Sequence, residues 1–571
     1  MSLTKKISLT TISAFVLLSS VDSFATSISS SADAGRVQGN IQQSFPETVK
    51  SAPVKVTGNA PFSAPAGSEK ITFNLKDVAL EGSSVYSTKE VATVYQDKLG
   101  QKISLADVYG IAANLTAMYR NDGYILTQVI VPPQTIENGM IKLTVVEGKI
   151  DQVFVDGTNL KGKEAKVINS YVSQLKSKPV LNNSDLEKTL LLINDLPGVT
   201  ARSVLSPSRN VAGASDLTIQ VERDATAGTI QVDNFGSKFL GMWEAIGSVN
   251  LNSLFGQNEQ ISAQLAYAPS DQGVEPELLY GELRASLPVG SYGTSVEANI
   301  GKSYTDPGHT LTQFDVLGKS YFAGLKLNQP IIRTRDLNLS TSLGLDKRST
   351  ETKSNIDTFK NDDLTSLRLA GNLDFVDTLF SAAVTNATVE LSKGLSILGA
   401  SNKGDTDLSR AAGDPQYLKL TADVSRLERL TSDFSLLVAA KGQMSNDALL
   451  SAEEFGIGGA NGIGRGYDPS ELVGEDGIAG SLEVRWSPGY SASWMDSYSV
   501  YGFYDVGKVW NDDGVTASQR EQSLASTGAG VRMNINSATR AGFMVAVPLT
   551  RPVSAENEED RRFYFNLSRD F

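Results

Sequence analysis

From residue 225 to the C-terminus, apolar and polar positions alternate with period two in segments of roughly ten residues. Ile261, Ala263, Leu265 and Tyr267 interleave with Ser262, Gln264 and Ala266. Leu283, Ala285, Leu287 and Val289 interleave with Glu282, Arg284 and Ser286, and Val296, Ala298 and Ile300 with Glu297 and Asn299. Leu482, Val484 and Trp486 interleave with Glu483 and Arg485. Successive side chains of a strand point to opposite faces, so each segment predicts a strand with one greasy and one hydrophilic face. A soluble β-sandwich carries the same alternation. Length and the C-terminus separate the two, because a barrel in lipid has to pair every backbone group and leave no edge in hydrocarbon. The chain also closes with Phe563, Phe565, Leu567, Arg569 and Phe571 on one face, an aromatic ending typical of outer-membrane barrels from which only Arg569 departs. At roughly 20–22 residues per strand and connection, region 225–571 predicts a transmembrane antiparallel β-barrel of about 16 strands.

Upstream the texture differs. Ile71, Phe73 and Leu75 alternate as a strand, and Ser87 with Glu90 makes a capping box ahead of Val91, Val94 and Tyr95. Leu105, Val108, Ile111, Leu115 and Tyr119 are spaced three and four apart, a helix that Gly123 stops. Strand-like runs at 124–131 and 140–146 follow, separated by Pro132-Pro133 and Asn138-Gly139. The order β-α-α-β-β then repeats: a strand at 153–155, helices at 165–175 and 186–192, and strands at 199–205 and 217–221. Ser184 is the expected cap of the second helix, with Glu187 at the third position, and Leu196-Pro197-Gly198 ends it. Two tandem α+β modules of one kind are therefore expected.

Residues 26–70 are rich in Ser, Ala and Gly, with Pro46, Pro53, Pro61 and Pro65, and read as a linker. Val37, Ile41 and Phe45 fall at i, i+4 and i+8, so 35–45 forms either a short amphipathic helix or a disordered stretch. At the start, Lys5 and Lys6 precede the mostly apolar run 7–18 and the small-residue site Ser23-Phe24-Ala25, the pattern of a secretory signal peptide over 1–25. No later run approaches the ~18–20 apolar residues of a membrane helix, so any crossing is by strands.

Composition narrows the chemistry. Lys and Arg number 51 against 64 Asp and Glu, a net charge of −13, which argues against nucleic acid as a partner. There is no cysteine, and His309 is the single histidine, so no thiolate or two-imidazole metal site is expected. Gly301-Lys302-Ser303 and Gly318-Lys319-Ser320 have Val296 and Gln313 where a phosphate loop requires glycine. The glycine-rich stretch 456–464 lacks both dinucleotide-binding spacing and a βαβ context. No catalytic constellation emerges, and neither enzyme activity nor a cofactor is expected.

Gly464-Arg465-Gly466-Tyr467 stands at the end of that stretch, and Phe503-Tyr504-Asp505-Val506-Gly507 follows it. The pair resembles the inner-loop arginine motif and the Phe-x-Asp-x-Gly strand motif of outer-membrane barrels with POTRA domains. It is most similar to the two-partner secretion transporters of the haemolysin-secretion/activation type, the TpsB family. Tyr124 to Gly148, with Pro132, Gln134, Gly139 and Glu147, resembles the first POTRA of that family. Asn194-Asp195-Leu196-Pro197-Gly198-Val199 resembles its second, and Asp233-Asn234-Phe235-Gly236-Ser237 its first barrel strand. The resemblance covers nearly the whole mature chain.

Beside the signal peptide at 1–25 and the linker within 26–70, it implies a plug helix for which 35–45 is the candidate, POTRA domains at 71–149 and 150–224, and an outer-membrane barrel at 225–571 with the POTRA domains in the periplasm. It also implies a secreted TpsA-type exoprotein as partner, β-helical and haemolysin- or adhesin-like, and lipid around the barrel. Barrel-assembly machinery would read the C-terminal strand ending in Phe571. The loop bearing Arg465 is implied to fold into the barrel and pair with Asp505. On the residues alone, Tyr501, Phe503 and Asp505 share one strand face, and a buried arginine needs a carboxylate. The residues equally allow Arg465 to be a solvated loop residue with Asp505 paired to Arg485. Gly464 stands where valine is usual, which predicts a looser loop. An assembly insertase of the same superfamily is the principal alternative; such proteins usually carry three or five POTRA modules, and residues 70–224 have space for two. A passive porin or a barrel that only anchors a surface domain are further alternatives.

Overall fold

The computed structural model describes residues 29–42, 64–157, 162–270, 275–355, 359–512 and 516–571. The expected signal peptide and the Phe45 end of the expected helix lie outside them. Sixteen antiparallel strands, from Thr226–Asp233 to Arg562–Asp570, form a closed barrel in which the last strand returns to the first. That closure runs from Asn566 opposite Asp233 to Asp570 opposite Thr229, and Phe571 extends it by exchanging backbone hydrogen bonds with Gly228, each 3.0 Å.

The alternation sorts as the pleat requires. Leu265, Leu283, Ile300, Leu482 and Val484 stand exposed on the outer wall, while Glu282 and Glu483 are buried inside. An outer wall of exposed aliphatic side chains is destabilising in water and stabilising in hydrocarbon, and closure satisfies every strand edge there. Phe380, Tyr490 and Trp494 are exposed in turns at the end where the α+β modules enter, as an interfacial aromatic belt requires. No helix among the described residues is long and apolar enough to cross a membrane.

The first module is richer than β-α-α-β-β. Thr72–Asn74 pairs with an additional strand, Lys102–Ser104, and another, Asp77–Glu81, runs parallel to Met140–Val146. These three- and five-residue strands are too short for periodicity to reveal. Ile71 is exposed and lies outside the strand, whereas Leu75 is fully buried just beyond it. The expected strand at 124–131 shrinks to Gln128–Ile130, since Tyr124 and Thr127 enter turn hydrogen bonds after the helix Leu105–Asn121. The capping box of Ser87 and Glu90 is present.

The second module has the order β-α-α-β-β: Lys149–Gly157, Gly162–Lys176, Asn183–Asn194, Val199–Pro207 and Ala214–Arg223. Its second helix is capped by Asn182, whose side chain accepts from the Ser184 amide at 2.9 Å, and not by Ser184. Each module buries its own core, around Ile111, Leu115 and Leu143 in the first and Ile168, Leu190 and Ile219 in the second. The second module meets the barrel through polar contacts: Asp195 takes both Arg333 Nε and Nη2 at 2.7 and 2.6 Å, Arg335 lies 3.2 Å from Glu187, and Ser253 bonds to buried Glu164.

Candidate functional site

Residues 446–475 connect two neighbouring wall strands, Phe434–Ser445 and Asp476–Trp486, at the end of the barrel remote from the modules. They fold inward. Phe455–Ile457 pairs with Leu472–Gly474 as a short hairpin, and its apolar side chains pack with Ile463 and Tyr467 of the same loop and with Ala479, Val509 and Leu524 of the inner wall. Apolar burial thus carries a polar tip into the lumen.

At that tip Arg465 is 1% exposed. Its Nε and Nη2 donate to the two oxygens of Asp505 at 2.9 and 2.8 Å, the parallel fork that guanidinium and carboxylate geometry favours. Nη1 donates to Glu483, and Nη2 also to Ser481 Oγ at 2.9 Å. Ser481 in turn donates to Asp505 at 2.6 Å, and the amides of Gly464 and Arg465 reach the same carboxylate at 3.1 and 3.0 Å. The guanidinium lies 3.6 Å from the Phe503 ring centroid, a cation–π contact that covers its face. Glu483 is shared with Arg485 at 2.7 Å and Arg532 at 2.8 Å. Arg485, the other partner the residues allowed for Asp505, pairs with Glu483 instead.

The remaining motif residues shape the same contact. Gly464 has φ +100°, a left-handed conformation that would strain valine, and a Cβ there would meet Leu524 at 3.2 Å. Its amide is bonded to Asp505, so the glycine fits the tip in a conformation that valine would adopt only under strain. A Cβ at Gly507 would lie 2.6 Å from Ile457 Cδ1, so this wall glycine lets the hairpin approach. Gly466 sits beside Ala546, and Tyr467 is fully buried with its hydroxyl donating to the Ala525 carbonyl at 3.1 Å.

Several partners escaped sequence reading. Glu483 was legible only as a lumen-facing residue, because its nearness to Arg465 depends on a register that sets it opposite Phe503. Asp468, buried beside the tip, pairs with Arg562 on the last strand at 2.7 Å. At the root of the loop, Glu453 meets Lys419 at 2.6 Å and Arg368 at 2.7 Å.

The described N-terminal segment, residues 29–42, also lies in the lumen. It contains the helix Val37–Gln42, with Val37 buried in a cluster with Ala32, Leu278, Tyr280 and Phe322. Wall residues hold its backbone: Ser303 donates to the Ala34 carbonyl at 2.6 Å and Arg348 to the Gly35 carbonyl at 2.5 Å. The segment reaches the loop as well, with Ser30 donating to the Ser470 carbonyl at 2.7 Å. Elsewhere in the lumen Arg284 bridges Glu282 and Glu297 at 3.1 and 3.3 Å. Among the described residues no cluster of metal-ligating groups occurs.

A closed barrel with an apolar outer wall, α+β modules at one mouth and a loop clasped within its lumen define an outer-membrane transporter with periplasmic POTRA domains. The profile of the haemolysin secretion/activation proteins ShlB/FhaC/HecB matches residues 213–533, and that of the ShlB-type POTRA domain matches residues 73–148. The chain belongs to this family, the TpsB transporters of two-partner secretion, which work with secreted TpsA-type partners. It is 23% identical over 528 residues to the heme/hemopexin transporter protein HuxB of Haemophilus influenzae strain Rd, covering 90% of each chain. It is 27% identical over 393 residues to the hemolysin transporter protein ShlB of Serratia marcescens, covering 66% of each. Among solved structures, CdiB from Escherichia coli superposes with a TM-score of 0.71 at 21% identity, over 91% of this chain and 94% of that one. BamA from Haemophilus ducreyi gives 0.53 at 14% identity, over 87% and 100%, a likeness of fold.

Proposed function

We propose that the chain recognises an unfolded, β-helical exoprotein of haemolysin or adhesin type through its POTRA domains and exports it through the barrel without nucleotide hydrolysis. The observation that carries this reading is that the lumen is occupied by two pieces of the chain, residues 29–42 and 446–475, each bonded to the wall and the two bonded to each other, so transport requires their displacement. A static pore for small solutes has no need of either. The edge strands Asp77–Glu81 and Gln128–Ile130 of the first module, and Lys149–Gly157 and Val199–Pro207 of the second, offer main-chain groups to which an extended client adds a strand with little dependence on its sequence. Client folding outside the cell removes the option of slipping back and supplies direction.

In this reading residues 1–25 direct export, 26–70 comprise plug and linker, and the POTRA domains span 71–149 and 150–224 ahead of the barrel at 225–571. Gly464, Arg465, Gly466 and Tyr467 form the pore-loop motif; Phe503, Asp505 and Gly507 form its wall partner. The strand ending in Phe571 addresses the chain to the barrel-assembly machinery, and lipid surrounds the outer wall.

The test is secretion of the exoprotein encoded beside this gene. Deletion is expected to abolish its appearance outside the cell, and unchanged secretion would refute the proposal. If depletion instead removes other barrel proteins from the outer membrane, the insertase reading is favoured.

A further inference from the structure

The lumenal segment and the inward loop meet at Ser470, which bonds Ser30 and Asn40, and at the root of the loop, away from Arg465. Arg36, buried in the lumen, sends Nη1 to the carbonyl oxygens of Ser451 at 2.6 Å and Glu454 at 3.1 Å. Between these acceptors stands Glu453, whose side chain turns to the wall: Oε2 lies 2.6 Å from Lys419 Nζ and Oε1 2.7 Å from Arg368 Nη2. The Glu453 carbonyl is held as well, by Lys419 Nζ at 2.9 Å and Gln443 Nε2 at 3.2 Å. These three donors stand on three wall strands, Lys360–Asp377, Leu418–Arg429 and Phe434–Ser445, so the root is tied down from several directions. Gly456 supplies the space for Arg36, since a Cβ there would crowd the guanidinium and lie 2.9 Å from Ser470 Oγ.

A backbone carbonyl is a useful acceptor for a buried cation only when it is held in place, because a mobile one loses alignment and the cation then lacks compensation for its lost hydration. We propose that Glu453 is a positioning residue that fixes 451–454 on the wall so that their carbonyls form a receptor for Arg36. This receptor, and not the Arg465 clasp, sets how firmly residues 29–42 sit in the lumen. Its purpose rests on the reading of the chain as a gated exporter, but the docking is an intramolecular property that needs no client.

The test uses the full-length purified chain in planar bilayers with no client present. Arg36→Ala, Glu453→Gln and Lys419→Met are expected to raise the time spent in conducting states by about tenfold, the scale of one or two charge-assisted hydrogen bonds. Gly456→Ala, which alters no charge, is expected to shift it the same way. A cross-link separates undocking from misfolding. A Cβ placed on Gly35 lies 3.1 Å from Ala452 Cβ, and the chain has no cysteine of its own, so Gly35→Cys with Ala452→Cys reports docking by disulfide formation.

Oxidation is expected to cross-link the otherwise unaltered chain and its Arg465→Lys form equally, and to cross-link the Arg36→Ala and Glu453→Gln forms several-fold less. Cross-linked Glu453→Gln molecules are expected to return to the parental conductance, which a collapsed barrel could not do. Parental conductance and cross-linking in Glu453→Gln would overturn the proposal. So would an equal loss of cross-linking in Arg465→Lys, which would make tip and root one unit. Failure of the export reading is registered separately, by client secretion in cells.

Discussion

The tip of the inward loop and the N-terminal segment both lie in the lumen, yet they are held by different chemistry. Arg465 meets two carboxylates, Asp505 and Glu483, that are fully buried with it. Residues 29–42 are held largely through backbone carbonyls: wall side chains reach those of the segment, as Ser303 does at Ala34 and Arg348 at Gly35, and the segment's Ser30 and Arg36 reach those of the loop. A buried charge pair leaves an uncompensated ion when one member is lost, and breaking such a pair typically costs about 3–5 kcal/mol. Hydrogen bonds to carbonyls let go in smaller steps; those from Ser303 and Arg348 specify little about the sequence of the segment, whereas those from Arg36 require that residue. The clasp is therefore suited to a part that returns to one geometry, and carbonyl docking to a part that leaves.

The largest expected effect follows from unpairing the clasp. Arg465→Ala leaves Asp505 and Glu483 with fewer donors, and should lower secretion of the client by tenfold or more while heat-modifiable migration in gels shows the barrel still assembled. Normal secretion would remove the loop from the mechanism. Arg465→Lys sharpens the comparison: a lysine keeps the charge but not the fork to Asp505, so it should retain partial secretion and lose about 1.5–3 kcal/mol of loop stability. Proteolysis of the loop, read against Arg465→Ala, measures that difference.

On the other side, Arg348→Ala removes donors to Gly35 and Gln38. It should mobilise residues 29–42, seen as faster hydrogen exchange of that segment with the clasp loop unchanged; equal acceleration in both would erase the distinction. The smallest effect is expected outside the lumen, at the POTRA–barrel contact. Asp195 is partly exposed, so Arg333→Ala should cost only ~0–1 kcal/mol and alter secretion little, checked by thermal unfolding and the same export assay.

Much of the architecture was legible in advance because strand alternation is a local property. Two-faced segments such as that of Leu482, Val484 and Trp486 predict a wall whichever strand lies beside them. The tandem modules were legible in their longer helices and in the capping box at Ser87, but not in Asp77–Glu81 or Lys102–Ser104. Strands that short carry too few positions to establish a period. Ser184 failed as a cap because Asn182, two residues earlier, already bonds its amide. In the site, Arg465 and Asp505 stood out through a resemblance of motifs, whereas Glu483, Ser481, Glu453 and Arg36 did not. Each is an ordinary polar residue, and its partner lies elsewhere in the fold, on another strand or in the inward loop.

By itself the amino-acid sequence determined that this chain builds a two-faced cylinder behind two α+β modules, since pleat periodicity, helix spacing and the need to pair every backbone group in lipid act over a few residues at a time. Only the tertiary structure decided which charges meet inside. Closing the barrel and folding 446–475 into it bring Arg465 to Asp505 and Glu483, and Arg36 to the carbonyls beside Glu453. Burial then makes those pairings strong, because a charge removed from water must be matched by whatever the fold places next to it.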